Sequence, residues 1–287
     1  MKEFKDKVAV ITGAASGIGM ELANLCSKQG MKVVIADIDK KRLKRVERRM
    51  KRERANVLAV ETDVSQREAI QKLADITLET YGEVHLLVNN AAVGNTKYTW
   101  NYTLKDWEWQ LGVDLLSVIH GVRIFIPIML RQDNECHIVN ISSIEGLLQG
   151  SGPGGAIYGL SKHAIVSLTE TLRTELEVVE SKLKVSVVCP GWVSTRIVYG
   201  DIHRPEKYQN PSEDQIIDTR NEDIFKKRGI DIEDALVQSP AITPEKAAEI
   251  IFQGIKDEKF YILTHKDEFL RGQVKERFDE ILSAFDT

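Results

Sequence analysis

Seven short apolar runs punctuate the chain, and a small or polar residue stops nearly every one. Four fill the first third: Val8-Ala9-Val10-Ile11, Lys32-Val33-Val34-Ile35-Ala36, Asn56-Val57-Leu58-Ala59-Val60 and His85-Leu86-Leu87-Val88. Three follow: His137-Ile138-Val139-Asn140-Ile141, Val185-Ser186-Val187-Val188 and Phe260-Tyr261-Ile262-Leu263. Short, mostly apolar runs suit strands of a parallel sheet buried on both faces. Between them apolar positions recur at helical spacing, which predicts helices over 17–29, 40–54, 67–81, 107–130 and 158–180, with Gly30 and Gly82 as stops. Such alternation builds an α/β domain, a parallel sheet covered by helices on both faces. Thr12, Asp37, Asp63, Asn90, Ser143 and Pro190 then fall just past strand ends, on the carboxyl edge where such sheets do their chemistry.

The rhythm breaks over 196–243, which is polar, contains Pro205, Pro211 and Pro240, and is long for a connection. It reads as a substrate lid with helical pieces around 213–222 and 233–236. A charged helix is expected over 266–285. The length of 287 residues suits one large domain, 1–287, with the lid at 196–243 and a C-terminal helical extension at 264–287.

Composition changes this picture little. A net charge of −4 gives no overall pull toward nucleic acid. The Lys- and Arg-rich stretch 40–54 carries Leu43, Val46 and Met50 at helical spacing and reads as a surface helix with a solvated basic face. No uninterrupted run approaches the roughly 18 apolar residues of a membrane span, and the charged N-terminus lacks a secretory pattern. Cys26, Cys136 and Cys189 have no metal-ligand spacing. The expectation is a cytoplasmic protein with reduced thiols and no metal, membrane or nucleic-acid partner. Cys189, at a strand end on the carboxyl edge, is a candidate for oxidation. His85, His120 and His163 read as surface or helix-face residues.

Candidate chemistry begins at Thr12-Gly13-Ala14-Ala15-Ser16-Gly17-Ile18-Gly19, between a strand and a helix. Gly13 allows a tight turn, Gly17 lets backbone approach a pyrophosphate, and Gly19 lets the helix pack closely on the sheet. The helix N-terminus offers free N–H groups to phosphate. Asp37 can accept hydrogen bonds from the adenosine ribose hydroxyls and repels a 2′-phosphate, which points to NAD; Lys40, Lys41 and Arg42 keep NADP open. Tyr158 and Lys162 stand four apart on one helix face. A free tyrosine has a pKa of about 10. A nearby ammonium and a cationic nicotinamide both favour phenolate, which would make Tyr158 a proton-transfer group.

The glycine loop, Asn89-Asn90-Ala91-Ala92, Ser142-Ser143 and Tyr158-Gly159-Leu160-Ser161-Lys162, in that order, resemble the short-chain dehydrogenase/reductase family from Lys7 to about Leu263. The resemblance implies a Rossmann-type doubly wound sheet and hydride exchange between NAD(H) and a secondary alcohol or ketone. Tyr158 would be the general acid/base, Lys162 its partner reaching the nicotinamide ribose, and Ser143 the residue orienting the substrate oxygen. Ser143 is chosen over Ser142 because it directly precedes Ile144-Glu145-Gly146. Gly13, Ser16, Gly17, Ile18 and Gly19 would hold the pyrophosphate side, Asp63 and Val64 would border the adenine, and Asn90 and Ala91 the adenosine-side ribose. Pro190, Val193 and Thr195 would hold the nicotinamide, the last two at its carboxamide. The family's usual basic residues for NADP are replaced by Ser16 and Ile38. Asp114 occupies a position where the family usually has asparagine, in a helix that the resemblance implies is kinked. The interval from Ser143 to Tyr158 is longer than usual and glycine-rich. The resemblance also implies a homodimer or homotetramer formed through the long central helix and the tyrosine helix. The alternative is a catalytically weak or silent NAD(P)-binding sensor or scaffold, favoured only by Asp114 and the altered loop.

Overall fold

The computed structural model describes residues 1–149, 154–197, 202–210 and 239–286. Its strands are β1 Val8–Thr12, β2 Lys32–Asp37, β3 Val57–Glu61, β4 Leu86–Asn89, β5 Cys136–Ile141, β6 Leu183–Cys189 and β7 Tyr261–Leu263. All pair in parallel, in the order β3-β2-β1-β4-β5-β6-β7. Helices cover both faces, as the apolar runs predict. They are α1 Gly17–Lys28, α2 Lys40–Arg52, α3 Arg67–Tyr81, α4 Leu104–Leu111, α5 Ser117–Gln132, α6 Ala156–Val178, α7 Pro244–Lys256 and α8 Glu268–Ser283.

Alternate strand residues feed two cores. Ala9, Ile11, Val33 and Ile35 pack with Leu22 and Cys26 of α1 and with Ile251 and Ile255 of α7. Val10, Val34 and Leu87 pack with Leu73 of α3, Phe125 of α5 and Ile165 of α6. Opposite faces follow from the two-residue period of a strand. A buried polar chain ties the centre: Asn89 Nδ2 donates to Asn140 Oδ1 at 2.8 Å, and Asn140 Nδ2 donates to Thr169 Oγ1 at 3.0 Å. Gly121 of α5 makes room for it, because a Cβ there would stand 2.3 Å from Asn89 Oδ1.

The structure revises several sequence expectations. The central helix starts at Leu104, because Thr103 and Asp106 form a reciprocal capping box. It runs through a π-turn, Gly112–Leu116, into α5. Taken together, Leu104–Gln132 is long and apolar enough to cross a membrane by length and composition, although no uninterrupted apolar run within it reaches that length. Val118, Val122, Phe125 and Met129 turn one face of it into the core. Helix α7 has no counterpart in the sequence prediction; Thr243 caps it and Pro244 occupies its first turn. His85 is buried rather than at the surface, and its Nδ1 accepts the Val8 N–H at 3.2 Å. His120 and His163 do lie on helices α5 and α6. The basic stretch forms α2, with Leu43, Val46 and Met50 buried. The helical pieces expected within 213–222 and 233–236, Pro211, and residues 150–153 of the glycine-rich interval before Tyr158 lie outside the described residues.

Candidate active site

The loop after β1 turns sharply. Gly13 and Gly17 have φ of 64° and 56°, in the left-handed region that favours glycine. A Cβ on Gly13 would stand 2.8 Å from Ala91 Cα, and one on Gly19 would stand 2.5 Å from the Gly13 carbonyl oxygen. Thr12 and Asn90 fasten this loop to the end of β4. Thr12 Oγ1 accepts the N–H groups of Asn90 (3.0 Å) and Ala91 (3.2 Å), while Asn90 Nδ2 donates to the carbonyls of Thr12 (2.8 Å) and Gly13 (3.3 Å). The Asn90 Nδ2 group is thus committed to loop geometry. Ser16, at the N-cap of α1, makes no side-chain cap bond. The first-turn N–H groups and two left-handed glycines form a cradle that suits a dinucleotide pyrophosphate. Ile18 packs on the core below.

Asp37 ends β2 beside this cradle. Its Oδ2 accepts the Ala15 N–H at 3.0 Å and its Oδ1 the Asp39 N–H at 2.8 Å, so the carboxylate is held at the loop rim. Asp63 Oδ1 accepts from the N–H and hydroxyl of Ser65, at 3.0 and 2.7 Å, shaping the turn after β3; Val64 is buried.

Tyr158 and Lys162 face one way from the first turns of α6, with Lys162 Nζ 5.2 Å from the Tyr158 ring centroid. Lys162 is buried and donates to the Ile141 carbonyl at 3.2 Å. Ser143, just past β5, has extended backbone, its Oγ accepts the Glu145 N–H at 3.2 Å, and it stands close enough to the Tyr158 phenol to favour its ionised form. Ser142 instead donates to the Lys162 carbonyl at 2.8 Å. The electrostatics differ from the expectation of an acidified phenol. Among the protein's own groups, burial pushes Tyr158 up, Ser143 opposes this, and Asp114 and Glu145 add to the rise. Burial also lowers the Lys162 ammonium, against the Asp114 carboxylate, which favours it.

Asp114 sits in the π-turn, wholly buried. Its Oδ1 accepts the Val93 N–H at 2.8 Å and its Oδ2 accepts Gln110 Nε2 at 3.3 Å. Burial raises the carboxyl to about 6, with Lys162, Val93 and Gln110 pulling the other way. The segment after β6 closes the far side. Gly191 N–H donates to Thr264 Oγ1 at 3.2 Å, Ile144 N–H to the Pro190 carbonyl at 2.7 Å, and Val193 bridges to Ile242. Thr195 meets the cradle: a Cβ on Gly17 would lie 3.4 Å from its Cγ2. Cys189 is buried and its thiol is pushed up to about 12 by that burial, which corrects the expectation of an oxidation-prone residue.

Three residues absent from the sequence reading, Lys97, Asp106 and Arg204, join the rim beside Tyr102. Tyr102 Oη lies 2.8 Å from the Asn95 carbonyl and 2.7 Å from that of Gly154, and Asp106 gathers Lys97 and Arg204. The capping pattern Thr103-x-x-Asp106 signals Asp106 in the sequence; nothing signals Arg204.

A model of the family described as short chain dehydrogenase matches residues 7–203. The chain belongs to the short-chain dehydrogenase family. Within this family of oxidoreductases, a crystal structure of a short-chain dehydrogenase/reductase from Burkholderia phymatum, in complex with NAD, superposes with a TM-score of 0.87. It is 40% identical, over 99% of this chain and 97% of that one. A protein of Lactiplantibacillus plantarum named CLA biosynthesis dehydrogenase/reductase is 33% identical over 267 residues, 93% of this chain and 91% of that protein. The C alpha-dehydrogenase of a Sphingobium species is 30% identical over 285 residues, 99% of this chain and 88% of its own length.

Proposed function

We propose that this chain is an NAD(H)-dependent alcohol dehydrogenase or ketone reductase of its family. The observation that carries the reading is the meeting of Ser143, Tyr158 and Lys162 at the same sheet edge as the glycine cradle. When bound, NAD accepts the hydride that leaves a carbinol carbon as the alcohol becomes a ketone. Tyr158 takes the hydroxyl proton in that direction and returns it in the other. Ser143 holds the substrate oxygen by hydrogen bonding. Lys162 orients the cofactor ribose, and Asp114 anchors the loop after β4 through Val93.

Asp37 supports NAD over NADP, since its carboxylate at the loop rim can accept from ribose hydroxyls and repels a 2′-phosphate. The substrate-lid reading extends to residues 202–210, which lie against α4. A homo-oligomer through α4, α5 and α6 is supported by the exposed Leu104, Leu116, Leu130, Leu160 and Val178 on those helices and the π-turn between them. A cytoplasmic setting accords with three free, buried thiols.

The test is a fluorescence titration with NADH and NADPH, followed by ketone turnover by wild type and Tyr158→Phe. Tighter NADH binding is expected, with turnover reduced about 10²–10⁴-fold in the variant at unchanged NADH affinity. Binding without turnover of any ketone would establish the silent alternative.

A further inference from the structure

Residues 202–210 follow β6 in the chain yet lie across the sheet from it. His203 Nε2 faces Asp39 Oδ2 at 3.7 Å, and Asp39 sits just past β2. The next residue, Arg204, reaches the other way, to Asp106 on α4, the helix that follows β4. In the sheet, β2 and β4 flank β1, whose trailing loop is the glycine cradle. A segment touching both flanks therefore crosses the cradle. Its approach is fixed as well, because Gly94 N–H donates to the Ile197 carbonyl at 3.1 Å.

The attachment at α4 is unusually complete. Asp106 is fully buried. Arg204 Nη1 donates to its Oδ1 at 2.6 Å and Asn210 Nδ2 to the same oxygen at 3.1 Å. Lys97 Nζ and the Thr103 N–H donate to Oδ2 at 2.7 and 2.9 Å. Four donors match the capacity of an ionised carboxylate. Burial alone would raise this group, but these bonds, Lys97 foremost, hold it at about 2. The Arg204 guanidinium also lies 4.9 Å from the Trp109 ring centroid, and its Nε donates to the Tyr208 carbonyl at 2.8 Å. Two of the partners, Arg204 and Asn210, come from within 202–210 itself.

We infer that Asp106 and Arg204 are positioning residues that pin 202–210 as a strap over the cofactor cradle, so that their ion pair limits how fast the cofactor leaves. The inference rests on the dinucleotide reading of the cradle given above. Neither side chain touches the reacting atoms; the pair acts through the strap. Lys97 remains on Asp106 when Arg204 is replaced, so removing Arg204 leaves no uncompensated buried charge.

The experiment uses the full chain and Arg204→Met. Amide hydrogen exchange reads the latch without cofactor, at the Tyr208 and Gln209 N–H groups, which bond to the Pro205 and Glu206 carbonyls. Exchange of 202–210 is expected to quicken at least about tenfold in the variant while the sheet strands stay protected. Stopped-flow displacement of NADH should show release about fivefold faster or more, partly restored in Arg204→Lys. Unchanged exchange at 202–210 overturns the latch. Faster exchange with unchanged NADH release overturns the strap's hold on cofactor. Exchange quickened equally in the strands marks a general loss of stability and also overturns it. A wild type that binds neither NADH nor NADPH overturns the cofactor reading instead, and the exchange result still decides the latch.

Discussion

Replacing Asp114 with asparagine should stabilise the protein, by an amount that grows as pH rises from about 4 to 8. Asp114 is buried, and burial raises its carboxyl from 3.8 to about 6. A carboxyl raised on folding holds its proton longer in the folded state than in the unfolded one. Between those values the folded state binds more protons, so stability falls as pH rises, then levels off above the folded value. The difference of about 2 units corresponds to about 3 kcal/mol of cost at pH 8, about half of it already present at pH 5. Asparagine abolishes that cost. Its Oδ1 can keep the Val93 N–H, and its amide can donate to Gln110 Oε1, a buried oxygen without a hydrogen-bond partner. Against this, Lys162 loses a favourable charge. The net expectation is a gain of about 1–3 kcal/mol at pH 8 that shrinks toward zero below pH 4. Urea unfolding of both proteins across this range measures it. A variant less stable at pH 8, or a gain that does not vary with pH, would refute the reasoning. The same substitution should shift the basic limb of ketone turnover to lower pH, because Asp114 helps hold the Tyr158 proton.

Two further outcomes are expected. Gly19→Ala puts a Cβ 2.5 Å from both the Gly13 carbonyl oxygen and Asn90 Nδ2, backbone on one side and a committed amide on the other. It should cost about 1–3 kcal/mol in urea unfolding and weaken NADH binding far more than an alanine at the exposed Gly82 turn weakens it. The three thiols should resist a disulfide exchange reagent in the folded protein at pH 8 and react only on unfolding. Burial pushes Cys26 and Cys189 up to about 12 and Cys136 up to about 11, so any rapid labelling would contradict the burial described.

The sheet was legible because each strand is a short apolar run with few internal polar residues, as double-sided burial requires. Helix α7 escaped because a polar stretch precedes it, although Thr243-Pro244-Glu245 carries a helix-start signature. The start of α4 was likewise readable from Thr103 and Asp106. What sequence could not supply was burial. The upward shift of Tyr158 and the inertness of Cys189 come from the groups packed around them, not from their neighbours in the chain. Arg204 illustrates the same limit differently: one arginine in an irregular segment carries no periodicity, and its partner lies 98 positions away.

The crossties of Thr12 and Asn90 bear on the order in which the molecule is made. Their bonds span 78 positions, so the turn after β1 lacks its fastening until β4 has docked beside β1. An emerging chain that ends before residue 90 therefore carries every glycine of the loop and none of the clamp's bonds. Contacts so distant in sequence form late and slowly. Acquisition of nucleotide affinity during refolding should thus lag behind helix formation and mark the moment when the first and fourth strands meet.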